Sequence, residues 1–323
     1  MSARSRTLLS TLVLLSLAGA AVGFAYFGVE KKNEAAEAKK AAEEKLYSFS
    51  RSKVKAVTVE AKGETTKLVR SGEEWRVEAP VHAEADQLVI DSLLDGVIEL
   101  HRKAAIAPAA GPDALARYGL SKPRARVVIA LDDGKIETLA LGDENEFDGT
   151  EYALTTSGAV DLVNASVKWA IEKTPFDLRD KTILRFDRDK VVAIRFSSGG
   201  SSFEAGKDSP RLSSAISTLS ALRAKAFVDD SGRSRDEHGL ARPAREVLLL
   251  GDGRKQLERL IVSPERGGKT FAQAASSPRV VEIDASGLAP LPTSAHDLDE
   301  KPAPKAEASA GKQPGVDPGR RAP

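Results

Sequence analysis

Tyr118-Gly119-Leu120-Ser121-Lys122-Pro123 and His238-Gly239-Leu240-Ala241-Arg242-Pro243 are two copies of one short pattern, ring-Gly-Leu-x-x-Pro. A glycine directly after a helical run can take the left-handed backbone that closes a helix end. The leucine behind it can cover that end, and the proline turns the chain into an extended path. Each copy stands between a helix-like segment and a hairpin-like one, so the pair marks two similar folded units in tandem.

Around the first copy, residues 54–59 (Val-Lys-Ala-Val-Thr-Val) alternate and are rich in β-branched side chains, the pattern of a strand. Lys62-Gly63-Glu64 turns the chain back through residues 67–70, and Ser71-Gly72 turns it again into Trp75-Arg76-Val77, with Pro80 ending the meander. Trp75 is expected to plug the core. Asp86 is a candidate N-cap, and Ile90, Leu93, Leu94, Val97, Ile98 and His101 then fall on one helical stripe with His101 at its boundary. Residues 112–118 predict a short helix stopped at Gly119. A hairpin follows at 127–131 and 136–141, then a strand pair at 152–155 and 160–163, and a short helix at 167–172 carrying Trp169. Asp177-Leu178-Arg179-Asp180-Lys181 closes the unit.

The same order recurs downstream. Residues 191–196 repeat the first strand, and Leu212, Ile216, Leu219 and Leu222 repeat the helical stripe behind Pro210, with Ser209 or Asp208 as its cap. Gly239, Leu240 and Pro243 repeat Gly119, Leu120 and Pro123, and Asp297-Leu298 repeats Asp177-Leu178. The offset is 137 at the first strand (191 − 54) but 122 at the helix (212 − 90), and the second unit therefore lacks part of the meander that holds Trp75. Ser197-Ser198-Gly199-Gly200-Ser201-Ser202 reads as a flexible turn. The expected fold is α+β: two tandem repeats of a mainly antiparallel sheet, each backed by an amphipathic helix. The first repeat spans residues 48–185 and the second, shorter one 186–300.

Residues 7–29 carry no charge and follow Arg4 and Arg6. That length makes roughly 34 Å of helix, enough to cross a membrane. A cleaved signal peptide ending near Ala18-Gly19-Ala20 is the competing reading. The aromatics Phe24, Tyr26 and Phe27 at the far end favour a retained anchor over residues 1–29, with everything after it exported. Residues 30–47 have the Glu, Lys and Ala composition of a charged helical stalk without a heptad seam. Residues 301–323, rich in Pro, Ala, Lys and Gly, have the composition of a disordered tail.

A formal charge of +1 from 48 basic and 47 acidic residues leaves no net field to attract nucleic acid. The absence of cysteine excludes disulfides, thiolate catalysis and Cys-ligated metals. His82, His101, His238 and His296 lie in no metal-ligand spacing, and no nucleophile elbow, phosphate loop or dinucleotide turn occurs. Residues 143–149 resemble a calcium loop, but Phe147 and Asp148 stand where a ligand and a glycine belong. The residues singled out are thus structural: Trp75, Pro80, Tyr118, Gly119, Leu120, Pro123, Asp177, Asp180, Gly239, Leu240, Pro243 and Asp297. No catalytic, cofactor-binding or metal-binding residue is expected.

The series Trp75-x-Val77-x-x-Pro80, Tyr118-Gly119-Leu120-x-x-Pro123 and Leu178-Arg179-Asp180-Lys181 resembles the bacterial domain of unknown function 4340 family. The second unit departs from it, with no Trp-x-Val-x-x-Pro and with Asp299-Glu300-Lys301 at its end. The resemblance implies a single-pass protein of the bacterial inner membrane with its bulk in the periplasm, and an accessory, non-enzymatic partner of an ABC-type transporter or envelope complex. The alternative is a module that binds a lipid, glycan or peptide between the two repeats.

Overall fold

Alternating valines decide where the first sheet faces its core. In strand β1 (Val54–Ala61), Val54, Val57, Val59 and Ala61 are buried while Lys55 and Glu60 are exposed. The computed structural model describes residues 44–299; the anchor, most of the stalk and the tail expected above lie outside them. The chain divides into two compact units between Asp180 and Lys181.

In the first unit β1 is followed by β2 (Glu64–Ser71), β3 (Glu74–Ala79), the two-residue β4 (Ala83–Glu84), helix α1 (Gln87–Ile98) and β5 (Arg102–Ala107). Then come α2 (Pro112–Arg117), β6 (Ala125–Leu131), β7 (Ile136–Glu144), β8 (Glu151–Thr155), β9 (Val160–Val163), α3 (Ser166–Ile171) and α4 (Pro175–Leu178). The nine strands form one antiparallel sheet in the order β4-β3-β2-β1-β6-β7-β8-β9-β5. Helix α1 starts at Asp86, whose side chain accepts the Val89 N–H, and buries Ile90, Leu93, Leu94 and Val97. Each such side chain stabilises by about 1.5–3 kcal/mol when withdrawn from water. A Cβ on Gly96 would lie 2.5 Å from that of Ala170, so α1 and α3 touch almost backbone to backbone. Lys45 bridges to His101 and Tyr47 is buried, so the last residues of the charged stretch pack with this unit.

The second unit contains β10 (Ala193–Ser198), β11 (Ser201–Ala205), α5 (Leu212–Ala221), β12 (Ala224–Asp229), β13 (Arg245–Leu250), β14 (Gln256–Val262), β15 (Thr270–Ala274) and β16 (Val280–Ile283). Its sheet runs β11-β10-β13-β14-β15-β16-β12 and is antiparallel. Position by position this is the first sheet without β3 and β4. The missing strands are the ones the shortened offset placed around Trp75.

Local details differ from the sequence reading in three places. The turn expected over residues 197–202 is confined to its two glycines. Gly199 and Gly200, both at positive φ, make a tight two-residue turn, and the serines on either side pair as the ends of β10 and β11. Helix α5 begins at Leu212, after a turn in which the Ser209 carbonyl accepts the Leu212 N–H, and its N-cap Arg211 makes no side-chain cap. No helix precedes Gly239; residues 230–241 run through successive bends and turns. Asp229 holds them in that form by accepting from the N–H and hydroxyl of both Ser231 and Ser234. Serine and glycine there favour such local bonds over helix.

Candidate functional site

Both Gly-Leu-x-x-Pro stretches close with the same pair of hydrogen bonds, the first at the end of α2 and the second on a run of turns. Leu120 N–H donates to Leu115 O and Gly119 N–H to Ala116 O; Leu240 N–H donates to Arg235 O and Gly239 N–H to Asp236 O. These are the two bonds of a Schellman closure. Gly119 has φ +69° and Gly239 φ +75°, and Leu120 and Leu240 are buried. Tyr118 stacks on Tyr152 with ring centres 4.4 Å apart, and His238 meets Phe271 edge-on at 4.5 Å in the corresponding place.

Beyond Pro123 the first unit builds something the second does not. Arg124 donates from Nε to Gly142 O at 2.6 Å, from Nη2 to Glu151, and places Nη1 3.3 Å from Glu172. Lys168 of α3 lies 3.2 Å from Glu144 and 3.6 Å from Glu151. Glu151 is 0% exposed, and burial pushes its carboxyl above the ordinary glutamate value against the pull of Arg124 and Lys168. The Glu144 hydrogen bond raises Lys168. The position matching Arg124 in the second unit is Ala244, whose N–H donates to Val262 O as Arg124 N–H donates to Leu141 O. The network therefore clips β6, β8 and α3 together in the first unit alone.

Two large aromatics stand out beside this clip. Phe147, in the loop between β7 and β8, is 98% exposed, and Trp169 on α3 is 73% exposed. The Lys168 ammonium joins their elements: it lies 5.7 Å from the Trp169 ring centre while bound to Glu144, three residues from Phe147. The loop itself is closed by Asn145, Asp148 and Thr150 bonding to one another.

The other residues singled out from sequence serve the fold. Trp75 is buried, its backbone N–H and carbonyl both paired with the Gln87 side-chain amide. Pro80 follows a cis peptide bond. Asp177 and Thr174 form a reciprocal capping box at α4. Asp297 accepts from the N–H and hydroxyl of Thr293 and Ser294 in the repeated position, which holds its carboxyl well below the usual range. Asp180 N–H donates to Glu84 O. Sequence reasoning missed Arg124 and Glu151, because it takes the pairing of β6 with β7 and of β7 with β8 to bring them together. It took Trp169 as part of a helix without seeing that it faces water. Among the described residues no three His, Asp or Glu are grouped to hold a metal, and no helix is long and apolar enough to cross a membrane.

The series that begins at Trp75 has a counterpart among known families. Residues 75–211 match a domain of unknown function (DUF4340). The DUF4340 segment starts at Trp75 in β3, takes in the Gly119 closure, the Arg124–Glu151 clip and both exposed aromatics, and ends at Arg211 just before α5. No curated protein and no solved structure matches the chain.

Proposed function

We propose that this chain is a non-enzymatic accessory protein that docks onto a partner through the Phe147–Trp169 face of its first unit. Its N-terminal segment is the tether, in the bacterial inner membrane, with the bulk of the chain in the periplasm. The partner is an ABC-type transporter or another envelope protein. The observation that carries this reading is the pair of aromatics left in water at 98% and 73% exposure. Large aromatics are among the side chains that dominate binding interfaces. The ion pairs behind them support the reading, since Lys168 and Glu144 fix both elements without themselves needing a partner.

The test uses the full chain in its native membranes, with a photo-crosslinking residue at position 147 or 169. Both positions are expected to capture one and the same membrane protein, and Trp169→Ala and Phe147→Ala should each lose it while melting like the parent. Capture of nothing, or capture indifferent to both alanine variants, overturns the docking face. A C-terminal alkaline phosphatase fusion should be active; an inactive fusion overturns the periplasmic placement.

A further inference from the structure

The second unit contains a cleft of about 940 Å³ between α5 and the 3-10 turn Ala285–Leu288. Its origin lies in how the two repeats diverged. In the first unit this place is narrowed by α3, with Ala170 against Gly96. At the repeat offsets Gly96 becomes Thr218 and Ala170 becomes Pro290, while α3 gives way to the 3-10 turn. Thr218 and Pro290 both line the cleft, where their counterparts in the first unit meet. What remains in the first unit is a space of about 390 Å³ whose lining includes Glu44, Glu99 and His101. At the matching positions the second unit replaces Glu99 with Ala221 and His101 with Arg223. The cleft has thus grown and changed sign.

We propose that this cleft binds an anionic amphiphile, an elongated molecule with a carboxylate head and an apolar body. Arg223 supplies the head site. Its Nη1 donates to Ser220 O at 2.8 Å and Leu222 O at 3.0 Å, which pins the guanidinium at the end of α5. Its Nε and Nη2 have no partner among the described residues, and neither has the Thr218 hydroxyl. A guanidinium held by one nitrogen with its others open is prepared to take a carboxylate. Asp284, the acidic side chain of the lining, already accepts the Ser286 N–H at 2.9 Å. Ala221, Leu222 and Pro290 offer the apolar wall. Helix α5 has ten residues, so the wall runs about 15 Å, the reach of a twelve-carbon chain. The volume lies in the range of ligand-holding clefts. This site is in a different unit from the docking face and does not rest on it.

The test labels the full chain with a diazirine-bearing twelve-carbon carboxylate and, separately, with the matching alcohol, then maps the adducts by mass spectrometry. Carboxylate adducts are expected within residues 211–223 or 284–290. Ala221→Trp fills the cleft and should cut them at least tenfold; Ser217→Trp, at a second exposed wall position, guards against a folding defect in the first variant. Arg223→Gln should lower the carboxylate yield about tenfold and leave the alcohol yield unchanged. Adducts outside these segments, yields unaffected by both tryptophans, or equal loss of carboxylate and alcohol in Arg223→Gln would each refute the site.

Discussion

Replacing Gly119 and Gly239 by alanine, one at a time, separates what the repeated motif needs from what its surroundings add. Both glycines sit at positive φ. There an L residue with a Cβ costs about 1–2 kcal/mol, offset by about 0.4–1 kcal/mol from stiffening the unfolded chain. Backbone alone therefore predicts a loss of about 1 kcal/mol at either site. The neighbours differ. A Cβ on Gly239 would be 3.5 Å from Pro264 Cδ, an ordinary contact. A Cβ on Gly119 would overlap the Asp143 carboxylate, whose own backbone is tied by Asp143 N–H donating to Tyr118 O at 2.9 Å. Turning that side chain away adds about 1 kcal/mol, for a total near 2. Gly142→Ala is worse again, at about 3 kcal/mol, because its Cβ would overlap the Tyr118 carbonyl, which is backbone and cannot rotate aside. Trp75 and Trp169 both lie in the first unit, so fluorescence follows that unit and calorimetry follows both. At about 3–4 °C per kcal/mol, Gly239→Ala should leave the fluorescence transition in place, Gly119→Ala should lower it and Gly142→Ala should lower it most. Asp143→Ala combined with Gly119→Ala should recover about 1 kcal/mol. Equal losses for the two motif glycines, with no recovery in the double variant, would refute the steric argument.

Removing Arg124 leaves Glu151 buried beside Lys168 alone, and Arg124→Ala should cost about 3 kcal/mol in the first unit, the scale for breaking a buried pair. Because burial raises the Glu151 carboxyl, its protonated form is the one folding favours. The stability this group contributes is then fully present below the ordinary glutamate value of about 4.3 and is lost as pH rises from there through the raised value. Taking away the arginine extends that window upward, so the gap between Arg124→Ala and the parent should widen from pH 4 to pH 8, and Glu151→Gln should flatten the slope. Asp297 behaves oppositely: its lowered carboxyl contributes stability above about pH 3.9 that is lost as pH falls through its folded value. Asp297→Asn should lower the calorimetric transition of the second unit at pH 7 and bring it closer to the parent in strong acid.

How much of this was legible beforehand depended on the range of the interactions. Gly119 and Gly239 were readable because the closure around each is made within six residues, and Asp86 because a cap acts over three. The strands missing from the second unit followed from an offset that shrank where Trp75 stands. Strands β5 and β12 were not readable: Arg102–Ala107 and Ala224–Asp229 lack clean alternation and pair with partners more than 50 residues away. The same holds for Arg124 and Glu151, ordinary surface residues in sequence that meet only across paired strands. The cleft was the least visible, since its lining comes from α5 and from residues more than 60 positions further on.

The loss of β3 and β4 from the second repeat required a repair, and the repair is visible in one cross-strand pair. Val59 faces Thr66 across β1 and β2, and both are fully buried, with the sheet continuing beyond them into β3 and its Trp75. The matching pair is Phe196 and Phe203, stacked at 5.5 Å. Strand β11 has no further neighbour in its sheet, so the last strand must cover the end of the core itself, which a phenyl ring does and a threonine cannot. Exchange should therefore fail in both directions. Phe203→Thr should cost about 2 kcal/mol, less than a fully buried phenylalanine because Phe203 is half-buried. Thr66→Phe should cost about 1–3 kcal/mol by overpacking. Thr66→Val is the informative control: the Thr66 hydroxyl is buried without a hydrogen-bond partner, so an isosteric methyl should stabilise the first unit by about 1 kcal/mol. If Phe203→Thr melts like the parent and Thr66→Phe is accommodated, the aromatic pair does not stand in for the missing strands, and the second sheet ends at β11 for some reason other than its own side chains.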